Sequence, residues 1–451
     1  MLLQQSEVDP DKPDKEGRTP LWRAAGKGHK RVVKMLLERS EVNPNKVDKE
    51  GWTPLWAAVD SGHAEVVKMF LERDDVNPKP DNEGRVPLVY AAGCGYAGVV
   101  KVLLELDEVH PDKPTNIAQT GLFCAAINGH VGVMELLLEQ EDVHPDKQTP
   151  NTGLTPLSLA ASFGHPNVAK LLLGWGEVNP DKPNTDGITA LLCAAKNGNA
   201  EVVKILLEQD DVSPDKPSND GRTPLSSAAW NGHAEVVKML LQRDEVNPDK
   251  PDNDGWTPLW GAARNGHAEV VEMLLERSEV NPDKPDNGGQ TPLWFAAHNG
   301  HAEVVKMLLE RSEVNLDRPD NDGQTPLSSA AWNGYAEVVK MLLQRDEVNP
   351  VKPDKDGWTP LSGAAWNGQM EVVKILLERS EVNPCGPGVY GQILLWLVAR
   401  YGHTATVAVR RAWSSPLSLT IPILFIFCLF TCLFTYYSFC FLFLPSCTPR
   451  G

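Results

Sequence analysis

Histidines recur behind a glycine at His29, His63, His130, His165, His233, His267 and His301, and a recurring imidazole is the first candidate for metal chemistry. Successive copies stand one repeat apart, about the 10 Å diameter of a packed helix, which is too far for two of them to share an ion. A loop-stabilising role at the start of a helix fits that spacing better. Acids recur as well, as Asp249, Asp252 and Asp254 in NPDKPDNDG. Lys250 and Pro251 interrupt them and no bidentate Glu follows at the spacing a calcium loop needs, so a solvated turn is expected. Gly26-Lys27-Gly28-His29 lacks the glycine spacing and the Ser or Thr after Lys of a phosphate-binding loop. Neither Gly-x-Ser-x-Gly nor His-Glu-x-x-His occurs. Eight cysteines in 451 residues, with Cys94, Cys124 and Cys193 far apart, offer no close metal pair and no disulfide framework. They read as reduced, mostly buried thiols. No catalytic residue, metal or cofactor is implied, and an enzyme would need chemistry from another domain.

The other chemistry on offer is recognition. Three positions vary among otherwise repeated text, spaced i, i+4, i+8, so they form a stripe along one helix. The first carries Trp52, Trp256 and Trp358 alongside Arg222; the third carries Trp230, Trp332, Trp366, Arg264 and His298. Trp and Arg dominate binding hot spots, which makes these nine residues the candidate partner-binding set. The alternative is that the indoles pack on neighbouring repeats and extend the core. Packing is the favoured reading at the second position, which holds Trp22, Trp56, Trp260 and Trp294 or Ser158, Ser226, Ser328 and Ser362. Second and third positions are never both Trp. Two indoles four residues apart are expected to compete for space, so this reads as steric compensation.

The elements that position the stripe follow from the period. Glycines at Gly17, Gly51, Gly84, Gly153, Gly187, Gly221, Gly255, Gly289, Gly323 and Gly357, with Ala118 in the one gap, mark a step of 34 residues with single departures of one. In Thr-Pro-Leu, Thr is a good N-cap and Pro suits the first helical position, where its missing N–H costs nothing. A helix of roughly nine residues is expected through an Ala-Ala pair, ending at Asn-Gly such as Asn231-Gly232. A second helix, as in Ala234 to Gln242, places Val236, Val237, Leu240 and Leu241 on one side and Glu235 and Lys238 in water. NPDKPDNDG, with its prolines, is an extended finger. Neither helix is long enough to be stable alone, so each unit must bury its apolar stripe against its neighbours.

These residues, Gly-x-Thr-Pro-Leu, Ala-Ala, Gly-His, Val-Val-Leu-Leu and Val-Asn, resemble the ankyrin repeat. The resemblance covers about residues 1–384 and implies an all-α solenoid of helix pairs and fingers. It also implies a protein-binding scaffold that works through its fingers and the concave face of its first helices. The His usual after Thr-Pro-Leu is missing, and the finger is longer than usual. The VNPDKPDNDG text is similar to the near-identical arrays at the C-terminal end of fungal NLR-like, nucleotide-binding proteins. That similarity implies the ligand-sensing part of a larger signalling or nonself-recognition protein.

The domain reading is a partial repeat at 1–16, about eleven repeats over 17–384, a decayed terminal repeat at 385–411 and an apolar tail at 412–451. Met1 is in register with Met35, Met239 and Met341, mid-helix, so a preceding region is expected. Residues 421–444 form an apolar stretch after Arg410-Arg411, long enough to span a bilayer. Either a tail anchor or read-through of non-coding sequence accounts for it. A net charge of -17 opposes nucleic-acid binding. The expected partner is a protein, the expected location cytoplasmic, and the expected alternative a membrane-tethered adaptor. Oligomeric state is left open.

Overall fold

The computed structural model describes residues 9–382 apart from 77, 107–108 and 116–118. These residues form 22 helices and no strand. They divide into two compact units, Met1–Asn253 and Asp254–Gly451. The first holds helix pairs from Pro20–Gly26 and Lys30–Leu37 through to Pro224–Asn231 and Ala234–Leu241; the second runs from Pro258–Asn265 and Ala268–Leu275 to Pro360–Trp366 and Met370–Leu377. Within each unit, first helices pack on first helices and second on second.

Local chemistry explains the helix limits. Thr223 Oγ1 accepts the N–H of Ser226 and Pro224 follows in the first turn, while Gly232 closes the helix at φ 75°. Observed helices have seven or eight residues, slightly under the sequence expectation. One start departs: Val86 replaces Thr and offers no side-chain cap to Pro87–Gly93.

The core is the Ala pair plus the Val-Val-Leu stripe. Ala228, Ala229, Val237 and Leu240 are fully buried and Val236 nearly so, whereas Leu241 is only half-buried. Methyl side chains let first helices come together: a Cβ on Gly26 would lie 3.5 Å from the Cβ of Ala57 one repeat on.

Two ladders join successive repeats within each unit. In the first, the Gly-His ring reaches back to the end of the preceding first helix. His130 Nε2 donates to Gly93 O at 3.0 Å, His165 to Ile127 O at 2.7 Å and His301 to Arg264 O at 3.0 Å. Asn199 does the same through its amide, to Ala161 O at 2.7 Å. These bonds satisfy carbonyls that a helix end leaves without partners.

The second ladder runs through the fingers. Lys182 pairs with Asp146 at 3.0 Å, Lys216 with Asp181 at 3.4 Å and Lys250 with Asp215 at 2.8 Å; Arg318 with Asp283 and Lys352 with Asp317 repeat it in the second unit. The same Lys250 ammonium also donates to Asp215 O at 2.9 Å. Backbone bonds run alongside, such as Asn253 N to Asp220 O and Asn321 N to Gly288 O. The expected wholly solvated turn is therefore corrected. Asp254 is exposed, but the Asp252 side chain is only 4% exposed and faces Arg222 Nε at 3.6 Å, because a finger lies against its neighbour and not only against water.

The expected terminal repeat (385–411) and apolar segment (421–444) lie outside the described residues. Among the described residues no helix is long and apolar enough to cross a membrane.

The His ladder has a testable consequence. Gly198 adopts φ +74°, and a Cβ there would stand 2.5 Å from the His233 ring, whereas a Cβ on Gly132 would meet nothing within 4 Å. Gly198→Ala is expected to cost about 1–3 kcal/mol, read as a lower urea midpoint, while Gly132→Ala holds or raises it. Equal effects of the two substitutions would remove this account of the joint.

Candidate binding surface

The first and third variable positions are held by their backbone, the second by its side chain. The first follows the positive-φ Gly, and its N–H donates to a finger Asp: Trp52 to Asp48 Oδ1 at 2.8 Å, Trp358 to Asp354 Oδ1 at 2.8 Å and Arg85 to Asp81 Oδ1 at 2.9 Å. The third ends the first helix, and its carbonyl is caught by the next repeat, as Arg264 O is by His301. The second is the third helical residue. Ser there completes a capping box with Thr, seen at Ser158, Ser226 and Ser362. Trp there is buried at Trp56, Trp260 and Trp294, with 2% exposure for Trp56 and 0% for Trp260, and half-buried at Trp22. Two of these indoles also bind the following repeat, Trp56 Nε1 donating to Lys79 O at 3.1 Å and Trp294 Nε1 to Gln324 O at 3.0 Å.

In the first unit, Trp52 is half-buried against Trp56 and Tyr90, with ring centroids 6.1 and 6.5 Å away. The Arg85 guanidinium lies 5.0 Å from the Trp52 centroid. Trp230, also half-buried, lies under Arg222 at 5.5 Å. Arg222 in turn faces Asp220 at 3.4 Å and Asp252.

The second unit gathers more of the set. Trp256 stacks on Trp260 with centroids 4.7 Å apart and planes 8° apart, and Arg264 covers Trp260 at 5.4 Å and Phe295 at 4.9 Å. His298 stacks on Trp294 at 4.9 Å, and its Nδ1 lies 2.8 Å from Ser329 Oγ. Trp358 stands between Trp332 and Trp366, edge-on to each, at 5.8 and 5.5 Å. Trp332 and Trp366 keep 38% and 46% of their surface exposed.

The Trp256–Trp260 stack shows that an indole at the first position, ahead of the helix, shares space with one at the second. Where the second position is Ser it supplies a capping hydroxyl, and where it is Trp56 or Trp294 it supplies a buried ring that also bonds the next repeat.

Residues 1–79, 40–115, 107–183, 176–252, 244–320, 278–354 and 312–386 each match the family of ankyrin repeats (3 copies). The chain belongs to the ankyrin-repeat family. No curated protein matches it. Ankyrin repeats generally mediate protein binding, and no catalytic domain is identified in the ankyrin-repeat chain. Among the described residues no three His, Cys, Asp or Glu side chains gather as a metal site.

The ankyrin stripe has a fourth variable member that the spacing argument missed, the residue before Ala-Ala. It touches the third position of the preceding repeat. Tyr90 Oη donates to Asp60 Oδ1 at 2.5 Å, Ser329 meets His298, and Phe295 meets Arg264. A Cβ on Gly363 would stand 2.8 Å from Trp332 Cε3, so glycine makes room for that indole. Burial, and then the Asp60 carboxylate, push the Tyr90 phenol up. The signal was present in the sequence as variation, from Tyr90 through Cys124, Leu159 and Cys193 to Phe295 and Gly363.

Among the described cysteines Cys193 is buried and Cys124 partly so, while Cys94 departs from the expected burial and is exposed. Burial pushes the Cys124 thiol up to about 11, so it stays protonated at neutral pH.

Burial, and then the Arg264 charge, hold His298 below its ordinary value of 6.5. Its folded pKa lies below the unfolded one, so this ring leaves stability intact above pH 6.5 and subtracts from it as pH falls through that value toward the folded pKa. An NMR titration of His298 is expected to show the low value, with Arg264→Gln moving it part of the way up. A titration at 6.5 or above in the native chain would contradict the packing described.

Proposed function

We propose that this chain is a protein-binding scaffold whose first- and third-position side chains, Trp52, Trp230, Trp256, Trp332, Trp358, Trp366, Arg222, Arg264 and His298, form the contact surface. The observation that carries the reading is the contrast between joint and stripe. The Ala pair and the Val-Val-Leu residues that pack repeat on repeat are near-invariant and buried, while the stripe changes from repeat to repeat and leaves Trp332 and Trp366 exposed. Indoles and guanidinium groups held by fixed backbone lose little entropy on binding, which is what a hot spot needs. A stripe that differs in every repeat while its frame stays constant suits recognition of variable ligands. We therefore place the array in the ligand-sensing region of a larger signalling or nonself-recognition protein, of the kind its finger text resembles.

Replacing Trp230, Trp332 and Trp366 together by Ala is expected to weaken capture of a purified partner by about 30-fold or more. Circular dichroism should stay unchanged, because none of the three belongs to the buried core. Unaltered capture by a folded variant would rule out this surface.

A second reading has its own observation, the apolar run 421–444 after Arg410-Arg411. On that reading the array is a tail-anchored adaptor with its repeats on the cytoplasmic side. The full chain expressed in cells is then expected to stay in the membrane pellet through alkaline carbonate, and release into the supernatant would exclude it.

A further inference from the structure

We infer that the Trp332–Trp358 corner receives an arginine side chain from a basic segment of the partner, an inference that rests on the protein-binding reading above. The pattern is drawn from the rest of the chain, where stripe indoles carry the protein's own guanidinium groups. Arg18 lies 5.6 Å from the Trp22 centroid, Arg85 5.0 Å from Trp52, Arg222 5.5 Å from Trp230 and Arg264 5.4 Å from Trp260. All fall within the roughly 6 Å over which a cation is held by an aromatic face.

Arg85 shows the arrangement in full. Its finger residue Asp81 accepts the backbone N–H groups of Glu83 and Arg85 on Oδ1, and the Arg85 Nε on Oδ2 at 2.6 Å. The guanidinium plane then spans from that carboxylate to Trp52, one repeat earlier. Trp358 occupies the corresponding position eight repeats on, directly after Gly357 as Arg85 is after Gly84. Asp354 likewise accepts the N–H groups of Asp356 and Trp358 on Oδ1. Because the residue there is Trp and not Arg, no guanidinium returns to Asp354 Oδ2, and among the described residues no cation covers Trp332 or Trp358.

What remains is a carboxylate that anchors the Trp358 backbone through Oδ1, next in the chain to an indole set at 83° to that of Trp332, which is 38% exposed. The shape fits a planar cation that can fork onto the carboxylate and stack on a ring, which an ammonium cannot do as well. The exposed Asp322 and Asp356 of the two adjoining fingers add negative charge, against exposed Lys355 as the neighbouring positive one. A chain of net charge -17 also favours approach of a basic segment.

The test uses the full chain with a labelled, unstructured peptide carrying two arginines among Gly and Ser, and its twin with citrulline in place of arginine, read by fluorescence anisotropy. The arginine peptide is expected to bind about tenfold tighter than the citrulline twin. Trp332→Ala and Asp354→Asn should each remove most of that preference. Trp358→Arg should remove it too, by supplying the guanidinium from within; the fold tolerates Arg at this position at Arg18, Arg85 and Arg222. Equal binding of the two peptides, or a preference untouched by Trp358→Arg, overturns the inference. If the peptides bind equally while Trp332→Ala still weakens a purified protein partner, only the cation claim falls; if Trp332→Ala leaves that partner unaffected as well, the binding surface falls with it.

Discussion

The whole arrangement depends on a missing methyl group. Within each unit the first helices end at a left-handed glycine, such as Gly198 or Gly266, and the space a side chain would fill there is taken by the ring or amide of the next repeat. That close approach brings the next repeat's hydrogen-bond donor to the exposed helix carbonyls, as His301 comes to Arg264. Helices of seven or eight residues are too short to persist alone, so the joint is where their stability originates. The alanine pair and the finger ladder widen the same contact, but the glycine allows it to form.

Fixing the backbone so firmly frees the side chains. Once the first position is anchored to a finger carboxylate and the third is pinned by its carbonyl, neither side chain is needed to hold the stack. Variation then follows local complementarity: glycine where Trp332 needs room, serine where His298 needs a hydrogen-bond partner, phenylalanine where Arg264 needs a face. The exposed portion of the stripe is what this mutual fitting leaves over for a ligand.

Much of the fold could be read from the sequence because a 34-residue period repeats its own evidence many times. Thr caps, Pro starts, Gly stops and the Val-Val-Leu face are local signals, and the helices observed obey them. What escaped were contacts between repeats. Nothing within one copy of NPDKPDNDG shows that Lys216 reaches Asp181 in the copy before, so the finger read as a solvated turn. Similarly, the Ser-or-Trp alternation at the second position was read as crowding along one helix. Contacts outside that reading are the capping box that Ser226 closes in the first turn and the carbonyl that Trp294 finds in the following repeat. The stripe was legible as variation, but the partner that a third-position residue finds in the next repeat lies about 31 positions away and required coordinates, as His298 and Ser329 show.

The finger ladder also bears on how such a chain can change. In the rungs Asp146–Lys182, Asp181–Lys216, Asp215–Lys250 and Asp317–Lys352 the acid lies in one copy and the base in the next, so copies that carry both offer the same plug on one side and the same socket on the other, whereas Asn45 and Val351 stand where the acid would be. Removing or duplicating one whole such copy therefore leaves the surviving rungs matched, whereas losing half of one strands a charge at each cut. A complete 34-residue block is thus the unit whose gain or loss disturbs the fewest of these rungs. Gain or loss of a block would slide one group of indoles past another by a fixed step, altering the spacing of recognition sites without redesigning any of them.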